Sequence, residues 1–175
     1  MVRSISSFLS IAVIWMCFIT SCGQTPASNR LSDEINDAKV KARHLVEEAE
    51  RQRAAARDQT DRRERERLLE EAAKLSGLAS DRLVEAAKNA DEMAKVKSPA
   101  WYEEYFSLQS KLITNLAQLA TGAHHELLVR KRGDPTESQV QSWKENIDRI
   151  RKENEGLRKQ ISAIESRQGT VLIKE

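Results

Sequence analysis

The sequence predicts an all-α chain of long antiparallel helical hairpins, a coiled-coil bundle of three to four helices. Three observations predict it. Apolar residues recur at alternating steps of three and four as Val140, Trp143, Ile147, Ile150, Leu157, Ile161 and Ile164, with only Asn154 interrupting. That is a strict seven-residue repeat across about four heptads. All six glycines and all three prolines follow residue 22, most of them where a helix would start or stop. Ala, Glu, Arg, Lys and Leu dominate the rest, which is the composition of long helices.

The first segment is of another kind. Arg3 and the amino terminus form a small positive head, Phe8 to Ile19 form an apolar run, and small residues follow before a cysteine. That order is the layout of a secretory signal rather than of folded structure. A membrane-spanning helix needs about 20 apolar residues, and Gly23-Gln24-Thr25-Pro26 breaks this run too early. Ile19-Thr20-Ser21-Cys22 resembles the lipobox of bacterial lipoproteins: an aliphatic residue, two small ones and an invariant cysteine. The resemblance covers residues 1–22 and implies that 1–21 are removed and that Cys22 becomes an acylated amino terminus carrying palmitate-type chains. Two or three chains anchor firmly, since each buried methylene contributes about 0.8 kcal/mol. Gly23 stands where an Asp would resemble an inner-membrane retention signal, so the expected location is the bacterial cell envelope, lipid-anchored on the outer membrane and facing the periplasm.

Removing residues 1–21 from a 175-residue chain leaves 154, enough for one domain. Arg3 leaves with them, so 28 basic residues face 27 acidic ones. This balance removes any field-based case for nucleic acid. Cys17 leaves as well and Cys22 is consumed by lipid, so no thiol remains for a disulfide or a thiolate metal site. Residues 22–31 are polar and Pro-containing and read as a flexible tether.

Residues 32–168 read as the bundle. Ile35, Ala38, Ala42, Leu45, Ala49 and Ala56 form an Ala-rich stripe, and Leu68, Ala72, Leu75, Ala79, Leu83, Ala86, Ala90 and Met93 form a stronger one. Between them Arg57 to Arg67 lacks Gly and Pro, so propensity favours one continuous helix over about 32–97, close to 100 Å long. The alternative is a break near 58–61, with Asp61 as a cap and Glu64 reaching back. The Arg/Glu block over 62–67 reads as a solvated face with internal ion pairs.

Ser98-Pro99 opens the next helix, over 99–132, and Gly133 closes it after the basic turn Arg130-Lys131-Arg132. Its apolar residues fall in two rows, one from Trp101 through Leu112 to Leu127 and one from Tyr102 through Ile113 to Leu128. Such a face touches two neighbours, which makes this helix central. In the last helix, over 135–168, Asp134 is the expected cap and Pro135 the first helical residue. Counting outward from Gly133, Trp143 falls opposite Ala123, Ile147 near Leu119, Ile150 near Leu116 and Ile161 near Tyr105. On that register Trp143 fills a gap beside Gly122, and its truncation to Ala would cost about 3–5 kcal/mol. Gly169 ends the helix, and 169–175 form a short β-rich tail.

Candidate sites are few. Besides Cys22 for lipidation, Trp101, Tyr102 and Asn154 are the candidates for partner contact. Trp101-Tyr102-Tyr105-Phe106 either plugs one end of the core or offers an aromatic docking patch. Asn154, at an apolar heptad position, either fixes a parallel homodimer with Glu153 and Arg158 pairing across it, or bonds within the chain near Asn115. His124 and His125 point about 100° apart on a helix and cannot chelate together, and His44 is remote, so no metal site is expected. No cofactor is expected either. A Gly-rich phosphate loop, a nucleophile elbow, HExxH and Glu-x-x-His are all missing, so the chain reads as no enzyme.

These readings together imply a structural or adaptor role: an envelope lipoprotein held to the membrane by its N-terminal lipid and binding a protein partner through helical surfaces. A periplasmic carrier or chaperone for apolar clients is the alternative. The chain is also similar to the murein lipoprotein family in being a lipid-anchored helical rod. That family attaches to peptidoglycan through a terminal Lys, whereas Glu175 follows Lys174 here.

Overall fold

A computed structural model describes residues 26–96 and 99–169, with side chains from Asn29 onward. The signal segment 1–21, Cys22 and residues 170–175 lie outside the described residues. Four helices follow one another: α1 Pro26–Asp58, α2 Arg62–Ala94, α3 Ala100–Arg132 and α4 Glu137–Gln168. Each is about 50 Å long, and the described residues contain no strand. The fold is an all-α helical bundle.

Two expectations about the first half are corrected. The continuous helix over 32–97 is instead two helices, parted at Gln59-Thr60-Asp61. The Asp61 carboxylate caps α2, accepting from the Glu64 N–H at 3.0 Å, and Gln59 Oε1 accepts from the Asp61 N–H at 3.1 Å. Propensity is a weak prior here, because every residue in the block tolerates a helix and a hairpin buries more. Folding back lays Ala49 and Ala56 on Leu68, Leu69 and Ala72, which a straight rod would leave in water. The tether over 22–31 is also shorter than expected. Residues from Pro26 onward are already helical, and Leu31 packs against the core. The Arg/Glu block does form a solvated face: Arg62 pairs with Glu66 and Arg67 with Glu64. The Arg67 guanidinium holds the Glu64 carboxyl below the usual carboxylate range.

The start of α4 differs in detail. Thr136, not Asp134, is the cap; it accepts from the Gln139 N–H while Gln139 Oε1 accepts from the Thr136 N–H, a reciprocal capping box. Pro135 therefore precedes the helix. Gly169 closes α4 with φ +64°, a left-handed position that glycine adopts without strain.

α2 and α3 are both central. α1 packs on α2 and α2 on α3 along most of their lengths, whereas α3 and α4 meet much less. Small residues let α2 and α3 approach closely, and three hydrogen bonds from side chains to backbone carbonyls cross between them. Ser110 Oγ donates to the Ala87 carbonyl, Ser80 Oγ to the Ala117 carbonyl, and His124 Nδ1–H to the Ala73 carbonyl. The α3 positions advance by two helical turns at each step as the α2 positions retreat by two, so one antiparallel register holds along the whole pair. This seam accounts for Ser76 and Ser80 being buried, a second row of small residues that the single expected stripe on α2 leaves out.

The core falls into two clusters. One draws on all four helices, with Ile35, Met93, Phe106, Ile113 and Ile164 among its most buried members. The other, towards the α1–α2 turn, draws on α1, α2 and α3 alone. The first turns of α4 cover no core.

Candidate functional site

That difference between the two ends creates a concavity. α4 is packed from Ile150 onward, with Ile150, Leu157, Ile161 and Ile164 all buried. Before Ile150 the same heptad seam continues as Val140, Trp143 and Ile147, yet Val140 is 40% exposed and the other two are only half-buried. Beneath Trp143 and Ile147 lies a cleft of about 510 Å³. Its floor is α3, through Leu116, Leu119 and Ala123; its walls are α1, through Val46 and Ala49, and α4, through Trp143 and Ile147. Arg43 and Glu47 of α1 and Arg151 of α4 stand among its polar lining residues.

The register explains the opening. Tyr105 Oη donates to Glu165 at 3.0 Å, and Asn115 Nδ2 donates to Asn154 Oδ1 at 2.9 Å. The expected pairing of Tyr105 with Ile161 is therefore displaced by one helical turn, because the connection extends to Thr136 and is not centred on Gly133. Trp143 and Ala123 line the same cleft, as the sequence suggests, but a void and not a packed contact lies about Gly122. A Cβ added at Gly122 would meet nothing within 4 Å. Trp143 thus fills no cavity, and the large cost expected for its truncation is corrected below.

Asn154 is buried, and its partner is Asn115 on the neighbouring helix. Of the two arrangements its sequence position allows, the described chain contains the intramolecular one. Replacing Asn154 by Ala should cost about 1–3 kcal/mol in urea unfolding, because Asn115 keeps a buried donor without an acceptor. Replacing both by Leu should recover most of that loss; if the double variant is no more stable than the single, the pair is not an isolated hydrogen-bonded unit.

Of its two expected arrangements the aromatic cluster takes the plug, with Tyr102 inside the core and not at a contact surface. Tyr102 is buried, with its ring 4.6 Å from that of Phe106, and Tyr105 and Phe106 are almost wholly enclosed. Only Trp101 is half-buried, its edge against Tyr102. The physical reason is spacing: 102, 105, 106, 109 and 113 share the α3 face that meets α2 and α4. His124 is half-buried over Gly77, while His125 is exposed. Among the described residues no three His, Cys, Asp or Glu side chains gather as a metal site, and no helix is long and apolar enough to cross a membrane.

Sequence reasoning missed one charged element. Glu126, buried on α3, accepts from Arg53 Nη2 of α1 at 2.7 Å and from Arg130 Nε at 2.8 Å. The Arg53–Glu126 partners lie far apart along the chain, and no local pattern marks them. This bridge ties α1 to α3 at the edge of the cleft. Compared with protein-family models, curated proteins and solved structures, the chain matches none.

Proposed function

We propose that this chain is a lipid-anchored adaptor of the bacterial cell envelope, exported and acylated at Cys22, whose bundle receives an apolar face of a partner protein. The observation that carries the adaptor reading is the open half of the α4 seam. Val140, Trp143 and Ile147 keep the repeat that is buried from Ile150 onward, yet Val140 is exposed and the other two line a cleft. A partner helix with apolar residues at i, i+3, i+4 and i+7 would complete the four-helix packing that this end lacks. The lipobox-like Ile19-Thr20-Ser21-Cys22 supports anchoring. Because the chain is helical from Pro26 onward, no more than the three residues 23–25 separate the acylated cysteine from the first helix. The bundle is thereby held close to the bilayer, on the periplasmic face of the outer membrane.

A second reading, a carrier of apolar small molecules, is favoured by the size of the cleft, since pockets of about 300–1,000 Å³ suit such ligands. One experiment separates the two. A photoreactive benzoylphenylalanine at position 143, activated in intact cells, should crosslink to a polypeptide if the adaptor reading holds. The crosslink should disappear in Gly122→Leu, which fills open space and exchanges glycine for a better helix former. Recovery of solvent-extractable lipid alone would transfer the function to the carrier reading. The anchor has its own test: metabolic palmitate should label the chain and not its Cys22→Ser variant, and an unlabelled parent chain would end the lipoprotein reading.

A further inference from the structure

A second, smaller hollow of about 110 Å³ lies at the end of the bundle where the α1–α2 and α3–α4 connections meet. Six residues line it: Arg53, Ala56, Arg57, Arg65, Leu69 and Arg130. Four are arginines from three helices, and none is acidic. We propose that this hollow is a binding site for a tetrahedral oxyanion, a phosphate group above all, and this goes beyond the adaptor reading without depending on it.

The charge balance around the hollow supports the assignment. Glu126 engages Arg53 and Arg130, and Glu50 reaches Arg53 at 3.4 Å. These carboxylates hold two of the four guanidiniums in place, and each guanidinium has five N–H donors, so donors remain. Arg65 comes only within 3.9 Å of Asp134, a side chain that is 95% exposed. Arg57 has no ion pair among the described residues. Glu126 already counters Arg53 and Arg130, so Arg57 and the loosely paired Arg65 are the cations that an added anion would neutralise.

Helix electrostatics accounts for part of the cluster and leaves the rest unexplained. Arg57 and Arg130 stand in the last turns of α1 and α3, where the helix dipole favours a cation. Arg65 stands near the start of α2, where the dipole disfavours one. That same helix end attracts anions, and planar guanidinium forks match the oxygens of phosphate. The hollow is too small for a nucleotide or a sugar and has room for one tetrahedral group.

The test uses the full chain in a neutral maltoside detergent, with thermal unfolding followed by circular dichroism. Inorganic phosphate at 100 times its dissociation constant should raise the melting temperature by about 5–10 °C over chloride of equal ionic strength. Arg57→Gln and Arg65→Gln, both exposed and outside the Glu126 bridge, should each melt like the parent without phosphate and lose most of the shift. A shift that chloride reproduces, or one that survives in both variants, would overturn the assignment. Dihexanoyl phosphatidic acid below its micellar concentration tells free phosphate from a lipid headgroup. Equal affinity means that the site reads the phosphate alone; tighter binding, lost in the same variants, means that a phospholipid headgroup is the occupant. Either result supports an oxyanion site, and retention of that binding in both variants counts against it.

Discussion

Phe106→Ala is expected to lower the unfolding free energy by about 3–5 kcal/mol, at the upper end for a core truncation. Phe106 is fully enclosed, and its ring meets those of Tyr102 and Tyr105 at 4.6 and 5.2 Å. Removing it deletes the transfer free energy of the ring and leaves a void that its neighbours cannot all close. It also removes two tilted or edge-on ring contacts, each contributing about 0.5–1.5 kcal/mol beyond burial. The contrast with Trp143 makes the prediction specific. Trp143 carries a larger ring, but it is half-buried at the lip of the cleft. Its truncation should cost no more than about 1 kcal/mol, since no sealed cavity is made. Urea unfolding of both variants checks the pair. Equal losses would mean that α4 closes over the cleft in solution and that the packing described above is wrong.

Glu126→Ala should cost about 2–4 kcal/mol, by a different route. The Glu126 side chain is 10% exposed and bridges Arg53, 19% exposed, to Arg130. Taking the carboxylate away leaves Arg130 without its partner and Arg53 with Glu50 alone, at 3.4 Å, and the penalty for the unpaired guanidinium exceeds the worth of the bonds themselves. The matching double variant Arg53→Met with Glu126→Leu should regain more than half of the loss, because it removes charge and partner together. A double variant less stable than Glu126→Ala would show that the bridge stabilises outright. The same substitution bears on the arginine-lined hollow. With Glu126 gone its net positive charge rises, so phosphate should restore part of the lost stability to Glu126→Ala and shift its melting temperature further than that of the parent.

Much of the bundle was legible in the residues. The heptad seam of α4, the double row of α3 and the stripes of α1 and α2 are all amphipathic patterns, and periodicity is a local property of a helix. Of the stripe Ile35, Ala38, Ala42, Leu45, Ala49 and Ala56 all but the half-buried Leu45 are buried, and of the α3 row Tyr102, Phe106, Ile113, Ala117, Ala120 and Leu128 all but the half-buried Leu128. The break at 59–61 was legible only as an alternative. Its cap is worth about 1 kcal/mol, less than the summed helix preference of the surrounding block, and the burial that outweighs it lies on another helix. The start of α4 was misplaced for a similar reason. Asp134-Pro135 and Thr136 with Gln139 are both good starts, and the second makes two reciprocal bonds.

The candidate site was hardly legible. Trp143 and Ile147 obey the same repeat as Ile150 and Ile161, and a repeat does not say where its partner stops. Whether such a residue is buried depends on how far α1 and α3 lie from α4 at that level. Arg53, Arg57, Arg65 and Arg130 likewise read as ordinary solvated charges, because nothing local tells that three helices bring them round one hollow.

Taken alone, the amino-acid order determined that this is an all-α chain, which faces of its helices are apolar, and where three of its four helices end. Those features follow from interactions within about one turn, so they are written in neighbouring residues. Only the tertiary structure decided the turn at 59–61, the one-turn offset of α4 on α3, the cleft beneath Trp143 and the meeting of Glu126 with Arg53. Each of these is a distance between residues remote in the chain, set by which packing buries the most surface while leaving the fewest charges unpaired.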